Sequence, residues 1–259
     1  MPITQQLILN VPLCVFGLVF AGIFALYAVA GVLIVRRFIH HSKLKVHHEI
    51  ADPMLGAVAV IYAVLLAFVV VTVWVNFDKS NSNVQLEANY LADIYRDSEA
   101  LSPDFHQKVG KVLREYRQAV IDYEWKTMAR GEMSPEVESL MKQIWALYIT
   151  YEPKTPTEQS FFDESVRKLN SFRELRRQRI MDARNGLQPI LWFVLIVEGL
   201  STISFIFFFG TENIRAHILM AVLLALVISL ILFTIMEMDY PFTGSVAISP
   251  EPFKMVLLD

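Results

Sequence analysis

The side chains able to do chemistry in this chain of 259 residues are few, and they sit in unusual surroundings. Glu198 lies midway along the apolar stretch Leu187–Gly210, with Ser201, Thr202 and Ser204 as polar neighbours. A carboxyl group at the centre of a bilayer-spanning helix costs about 2.5–3.5 kcal/mol on insertion scales, so it must face other helices or water. Two roles fit it: a station on an ion or proton path, or a buried hydrogen bond between helices. Glu237 and Asp239 end another apolar stretch, where carboxylates reach the interface. Four of the six histidines fall in the loop Arg36–Asp52, beside Arg36, Arg37, Lys43 and Lys45. That loop suits a pH sensor, a metal site or a positive anchor at a membrane face. His48-Glu49-Ile50-Ala51-Asp52 carries half of the HExxH zinc signature, but Asp52 stands where the second His is needed. The sequence has no Gly-rich phosphate loop, no nucleophile elbow and no His–carboxylate spacing on one helix face. No catalytic residue, metal ligand or cofactor is therefore expected, and the protein is not expected to be an enzyme. The lone Cys14 can form neither an intrachain disulfide nor a Cys-based zinc site.

The elements around these residues follow from composition. Hydrophobic residues make up 54% of the chain and charged residues 19%, against about 25% charged in an ordinary soluble domain. Residues 78–188 hold 17 of the 23 Lys/Arg and 18 of the 26 Asp/Glu. One charged insert is thus embedded in a greasy chain, which excludes a wholly soluble protein. Net charge is −3, so no nucleic-acid partner is expected. Four stretches reach the roughly 20 apolar residues a spanning helix needs: Leu7–Val35, interrupted only by Asn10 and Pro12, then Met54–Val75, Leu187–Gly210 and Ile218–Met236. The first is too long for a cleaved signal peptide and ends in Arg36-Arg37, so it reads as a retained anchor.

The insert reads as helical. Ser102-Pro103 and Ser134-Pro135 each supply a cap followed by Pro at the first helical position. Apolar stripes at three- and four-residue spacing follow: Phe105 to Tyr123, Val137 to Tyr151, and Phe161 to Leu175. The expected fold is an all-α integral membrane protein, with four transmembrane helices and a helical soluble insert between the second and third. The expected divisions are 1–77, a first helix pair with the basic His-rich loop; 78–186, the insert; 187–238, a second helix pair; and 239–259, a tail. No Pro and no Gly after Gly56 interrupts Met54–Leu101, and Val84, Ala88, Leu91 and Tyr95 continue a helical stripe. The second span is thus expected to run unbroken into the insert, as a helix of roughly 70 Å.

In lipid, small residues that let backbones approach matter more than apolar burial. Gly17/Ala21/Ala25, Ala59/Ala63/Ala67 and Ala221/Ala225/Ser229 each place a small ridge on one helix face. Spacing leaves open whether the partner helix belongs to the same chain. Opposite Ala59/Ala63/Ala67, the second span carries Ile61, Val64, Phe68, Thr72 and Val75. That face either meets lipid or lines a narrow hydrophobic pore. The charge of the loop after the first span favours a cytoplasmic loop, with the insert and both termini outside the cytoplasm. Arg173, Arg176, Arg177, Arg179 and Arg184, just before the third span, argue the other way.

The segment Met238-Asp239-Tyr240-Pro241-Phe242-Thr243-Gly244 resembles the one that follows the last span of bestrophins. The wider pattern resembles an uncharacterised bestrophin-like family of four-span proteins. Its marks are Val60 to Phe68, Glu87-Ala88, Leu91, Tyr95-Arg96, Tyr123-Glu124-Trp125, and Asp239, Pro241, Phe242 and Gly244. The bestrophin resemblance implies a homo-pentameric ion channel with the second span around the axis and hydrophobic rings narrowing the pore; Phe68 is the candidate ring by position. Thr243 splits the Pro-Phe-Gly run, and Ser245 to Ser249 replace the acidic calcium cluster, so calcium gating is not implied. Bestrophins keep insert and termini in the cytosol, opposite to the charge-based orientation.

The leading expectation is a homo-oligomeric, bestrophin-like channel of the bacterial inner membrane, with the lipid bilayer, further copies of itself and inorganic ions as its partners. A non-conducting scaffold or sensor whose insert binds a partner is the alternative. A proton- or cation-coupled transporter using Glu198 is the third reading.

Overall fold

The computed structural model describes residues 3–39, 48–209 and 211–258, and every regular element among them is a helix. In chain order these are α1 (Ile3–Asn10), α2 (Leu13–Phe38), α3 (His48–Ser98) and α4 (Pro103–Ala119). A π-helical turn (Val120–Glu124) joins α4 to α5 (Trp125–Met128). Then come α6 (Pro135–Thr150), α7 (Pro156–Arg184), α8 (Pro189–Phe207), α9 (Ile214–Met238) and α10 (Glu251–Met255). They form two compact units: Met1–Leu9, Asn76–Gly186 and Tyr240–Asp259 in one, Asn10–Val75 and Leu187–Asp239 in the other. Residues up to Leu9 and from Tyr240 onward therefore group with the helical insert.

Among the described residues, four helices are long and apolar enough to cross a membrane. Their ends depart from the apolar stretches for local reasons. Pro12 lacks an N–H and disfavours helix at the preceding residue, so Leu7–Asn10 end α1 and the span starts afresh at Leu13. Pro189 occupies the first helical position of α8. The last span begins four residues before Ile218, because the Asn213 side chain accepts from the Arg215 and Ala216 N–H groups at 3.0 and 3.3 Å. Small residues let these helices touch. Ala221, Ala225 and Ser229 are fully buried on α9. A Cβ on Gly17 would meet the Phe233 ring at 3.3 Å, and one on Gly31 would lie 2.1 Å from Phe207. Phe16, Phe20, Phe24 and Phe233 form an aromatic cluster between α2 and α9, with ring centroids 5.1–6.5 Å apart. Most of the His-rich loop, residues 40–47, lies outside the described residues, as do the side chains of His48 and Glu49.

The insert-bearing unit is built by caps and stripes. Ser102, Ser134 and Thr155 accept from the N–H groups of Phe105, Val137 and Glu158, each followed by Pro at the first helical position. Gly131 closes α5 at φ +73°, a conformation that favours glycine. Two stripe residues are not where the spacing puts them. The π-helical turn adds a residue to one turn and rotates the phase, so Tyr123 is exposed while Glu124 points inward. Phe161 is exposed as well, and Phe162 packs on Tyr148 and Tyr151 instead. Val84, Leu91 and Ile94 of α3 join Val109, Leu113, Tyr116, Ile144, Leu169 and Phe172 in one core. The C-terminal segment completes it. Phe253 and Leu258 are buried, and Arg114 and Arg117 donate to the Leu258 and Val256 carbonyls at 2.8 and 2.6 Å.

Candidate functional site

Helix α3 is continuous from His48 to Ser98, with Pro53 in its second turn. At 1.5 Å per residue its length is about 75 Å. Within the apolar unit it is two-sided. Tyr62, Leu66, Val69 and Val73 are buried against the other helices of the unit. These positions recur at four, three and four residues, which puts them on one helical face. Ile61, Val64, Phe68, Thr72 and Val75 are all exposed, Phe68 to 70%. The small ridge lies on another flank: Ala63 and Ala67 are exposed and Ala59 is half-buried. Packing inside the chain thus uses the Tyr62 face and leaves the ridge open.

Glu198 of α8 is half-buried, and its Oε2 is enclosed without a hydrogen-bond partner. The Tyr62 hydroxyl is in the same state. It fits over Gly199, where a Cβ would stand 2.7 Å from the oxygen, and it interacts electrostatically with Glu198. Glycine at 199 is what lets a tyrosine on α3 reach the backbone of α8. Thr202, buried one turn on, donates to the Glu198 carbonyl at 2.8 Å.

The residues after the last span each have a definite job. Asp239 accepts from the Leu187 N–H at 2.7 Å and from Trp192 Nε1 at 3.3 Å. The Pro241 carbonyl accepts from the Ile248 N–H at 2.8 Å. Phe242 meets Trp125 edge-on, with centroids 5.9 Å apart. Gly244 takes φ +89°, which an L side chain rarely adopts. Thr243 donates to the Ala129 carbonyl at 3.0 Å and accepts from Gln5 Nε2 at 3.1 Å. Gln5, almost wholly buried, also donates to the Ala183 carbonyl at 3.1 Å.

The charged centre of the insert-bearing unit was not legible as a site in the sequence. Arg179 is fully buried and donates through Nε and Nη2 to both oxygens of Glu87, at 2.7 and 2.9 Å. The same Nη2 donates to Glu124 at 2.9 Å. Arg176 donates to Glu124 at 2.6 Å and to Glu138 at 2.6 Å. The Arg179 guanidinium lies 4.9 Å from the Trp125 ring centroid. Charge-assisted, bidentate pairs of this kind offset the cost of burying the ions only because nearly every donor is used. Burial works to raise the Glu124 carboxyl, but Arg179 and Arg176 outweigh it and hold it below the usual glutamate range. Burial pushes Glu87 up in spite of Arg179. Glu87 and Glu124 stand in the short motifs quoted above, whereas Arg176 and Arg179 read only as flanking charge. A signal existed: Leu169, Phe172, Arg176, Arg179 and Ala183 recur at three and four residues, on one buried stripe.

These features define an all-helical, multi-pass membrane protein with a helical insert and an apolar second span. The chain belongs to the bestrophin-like family, whose Bestrophin-like domain model matches residues 22–253. Its fold is similar to the crystal structure of a bacterial Bestrophin homolog from Klebsiella pneumoniae carrying a mutation, with a TM-score of 0.64. The two share 10% sequence identity, over 89% of this chain and 93% of that one. No curated protein matches the sequence.

Proposed function

We propose that the protein is an ion channel formed by several copies of this chain, with α3 of each copy lining the path. Membership of the bestrophin-like family supports a channel over an enzyme. The observation that carries the reading is the division of α3 between Ile61 and Val75. One face is consumed by its own chain, while Ile61, Val64, Phe68, Thr72 and Val75 stay open along the whole span. In an assembly around an axis these five residues face the path. Ala59, Ala63 and Ala67 then give a neighbouring copy a flat surface for close approach. Phe68, the bulkiest of the five, forms the narrowest ring, and such an apolar constriction gates by dewetting. Five copies is the number that the bestrophin resemblance suggests. The site of action is the bacterial inner membrane, and the basic loop after α2 favours the extracytoplasmic side for the insert.

Recording from the full chain in planar bilayers tests this directly. Unitary currents are the expected result. Their absence, together with a monomeric particle or with α3 at the lipid-facing rim in particle images, would leave the scaffold reading in its place.

A further inference from the structure

We propose that the groove along the C-terminal half of α7 binds a phosphate-bearing anion. The groove has a volume of about 700 Å³ and lies wholly within the insert-bearing unit. Its charged wall is Arg173, Arg176, Arg177 and Arg184, against the two carboxylates Glu138 and Glu174. Arg176 is consumed in the buried cluster. The other three present donors to the groove. Arg173 is exposed and has no hydrogen-bond or ion-pair partner among the described residues. Arg177 pairs through Nη2 with Glu174 at 2.8 Å, leaving its other nitrogens open. Arg184 spends Nε on the uncharged Gly131 carbonyl at 2.7 Å, so its positive charge is not neutralised. Behind the groove, Glu87, Glu124 and Arg179 remove one charge, and a positive excess remains that resides on Arg173 and Arg184.

The spacing suits a phosphate better than a monatomic anion. Residues 173, 177 and 184 follow one helical face, one turn and then two turns apart, roughly 6 and 10 Å. A planar guanidinium offers paired donors that match phosphate oxygens, and three of them along one face address a group with several oxygens. Met133, Ile180 and Met181 add an apolar wall beside the arginines. The site thus calls for a phosphate joined to a less polar moiety. That chemistry occurs in an anionic phospholipid headgroup and in a soluble phosphate ester. The inference stands apart from the channel reading, since it uses no residue of the spans and no subunit contact.

The test uses the full chain in detergent, with inorganic pyrophosphate titrated by calorimetry as the soluble probe. A second arm measures retention of phosphatidylglycerol against phosphatidylcholine by native mass spectrometry. The variant is R173Q/R177Q. Both side chains are exposed, so the fold is retained, and R167Q, an exposed arginine outside the groove, is the control. Losing charge-assisted hydrogen bonds of this kind weakens binding about tenfold or more. Loss confined to pyrophosphate identifies a soluble phosphate ligand, and loss confined to phosphatidylglycerol identifies a headgroup. Loss of both supports the shared chemistry. Wild-type protein that binds neither probe, or a double variant that binds both as well as R167Q does, overturns the proposal.

Discussion

Arg179 on α7 grips Glu87 on α3 through two nitrogens, at 2.7 and 2.9 Å, and water reaches neither side chain. The two residues are 92 positions apart in sequence. This bond therefore ties the extension of the second span beyond the apolar stretch to the last helix of the insert. Removing one partner strands a buried charge. R179M should lower stability by about 3–5 kcal/mol, seen as a large drop in the thermal unfolding midpoint of the detergent-solubilised protein. E87M/R179M should cost less than the two single changes added together, because no charge at position 87 is left unpaired. Additive losses would show that the pair is not coupled.

Acid should unfold this unit through Glu124. Its folded-state pKa lies below the ordinary glutamate value, since the two guanidiniums outweigh burial. Its contribution is therefore complete above the ordinary value and is lost as pH falls through the folded value. Glu87 has the opposite sign. Burial raises it, so its contribution weakens as pH rises from the ordinary glutamate value to the raised one. In thermal melts against pH, E124Q should flatten the acid limb and E87Q should remove the opposing slope. Unaltered profiles in both variants would move the titration to other carboxylates.

The open small ridge on α3 makes a prediction about assembly. A67L adds bulk at an exposed position, so the chain itself keeps its packing. A neighbouring helix seated there would be pushed away. Particle mass in detergent should shift toward smaller species for A67L and for A63L. An unchanged mass would place the subunit contact elsewhere.

Phe68 is 70% exposed in the single chain, so F68A should leave folding intact while widening a constriction made of Phe68 rings. The expected readout is a changed conductance or open probability in single-channel recordings. Identical currents would take Phe68 out of the path.

Glu198 and the Tyr62 hydroxyl are neighbours whose enclosed oxygens lack partners. E198Q keeps the shape of the side chain and replaces the carboxyl by an amide, so assembly and unitary currents should persist. If the protein were instead a proton-coupled carrier working through Glu198, E198Q would abolish pH-coupled uptake into vesicles while leaving the oligomer intact.

Much of this molecule was written in local patterns. The four apolar stretches, the Ser-Pro starts at Ser102 and Ser134, and the uninterrupted run from Met54 onward all follow from chain length, capping chemistry and the absence of breakers. These depend on residues within a few turns of one another, and so they are legible without a fold. The small ridges were legible as ridges too, but their partners were not. Only the packed unit shows that Ala221 and Ala225 are buried, while Ala63 and Ala67 stay open beside a buried Tyr62 face. The meeting of Glu87, Glu124, Arg176 and Arg179 depends on two helices, α3 and α7, and on a π-helical turn that rotates Glu124 inward. Thr243, which interrupts a familiar run, turns out to bridge Gln5 and Ala129. A buried charge is tolerated only where distant donors converge on it, and that convergence is a property of the tertiary structure.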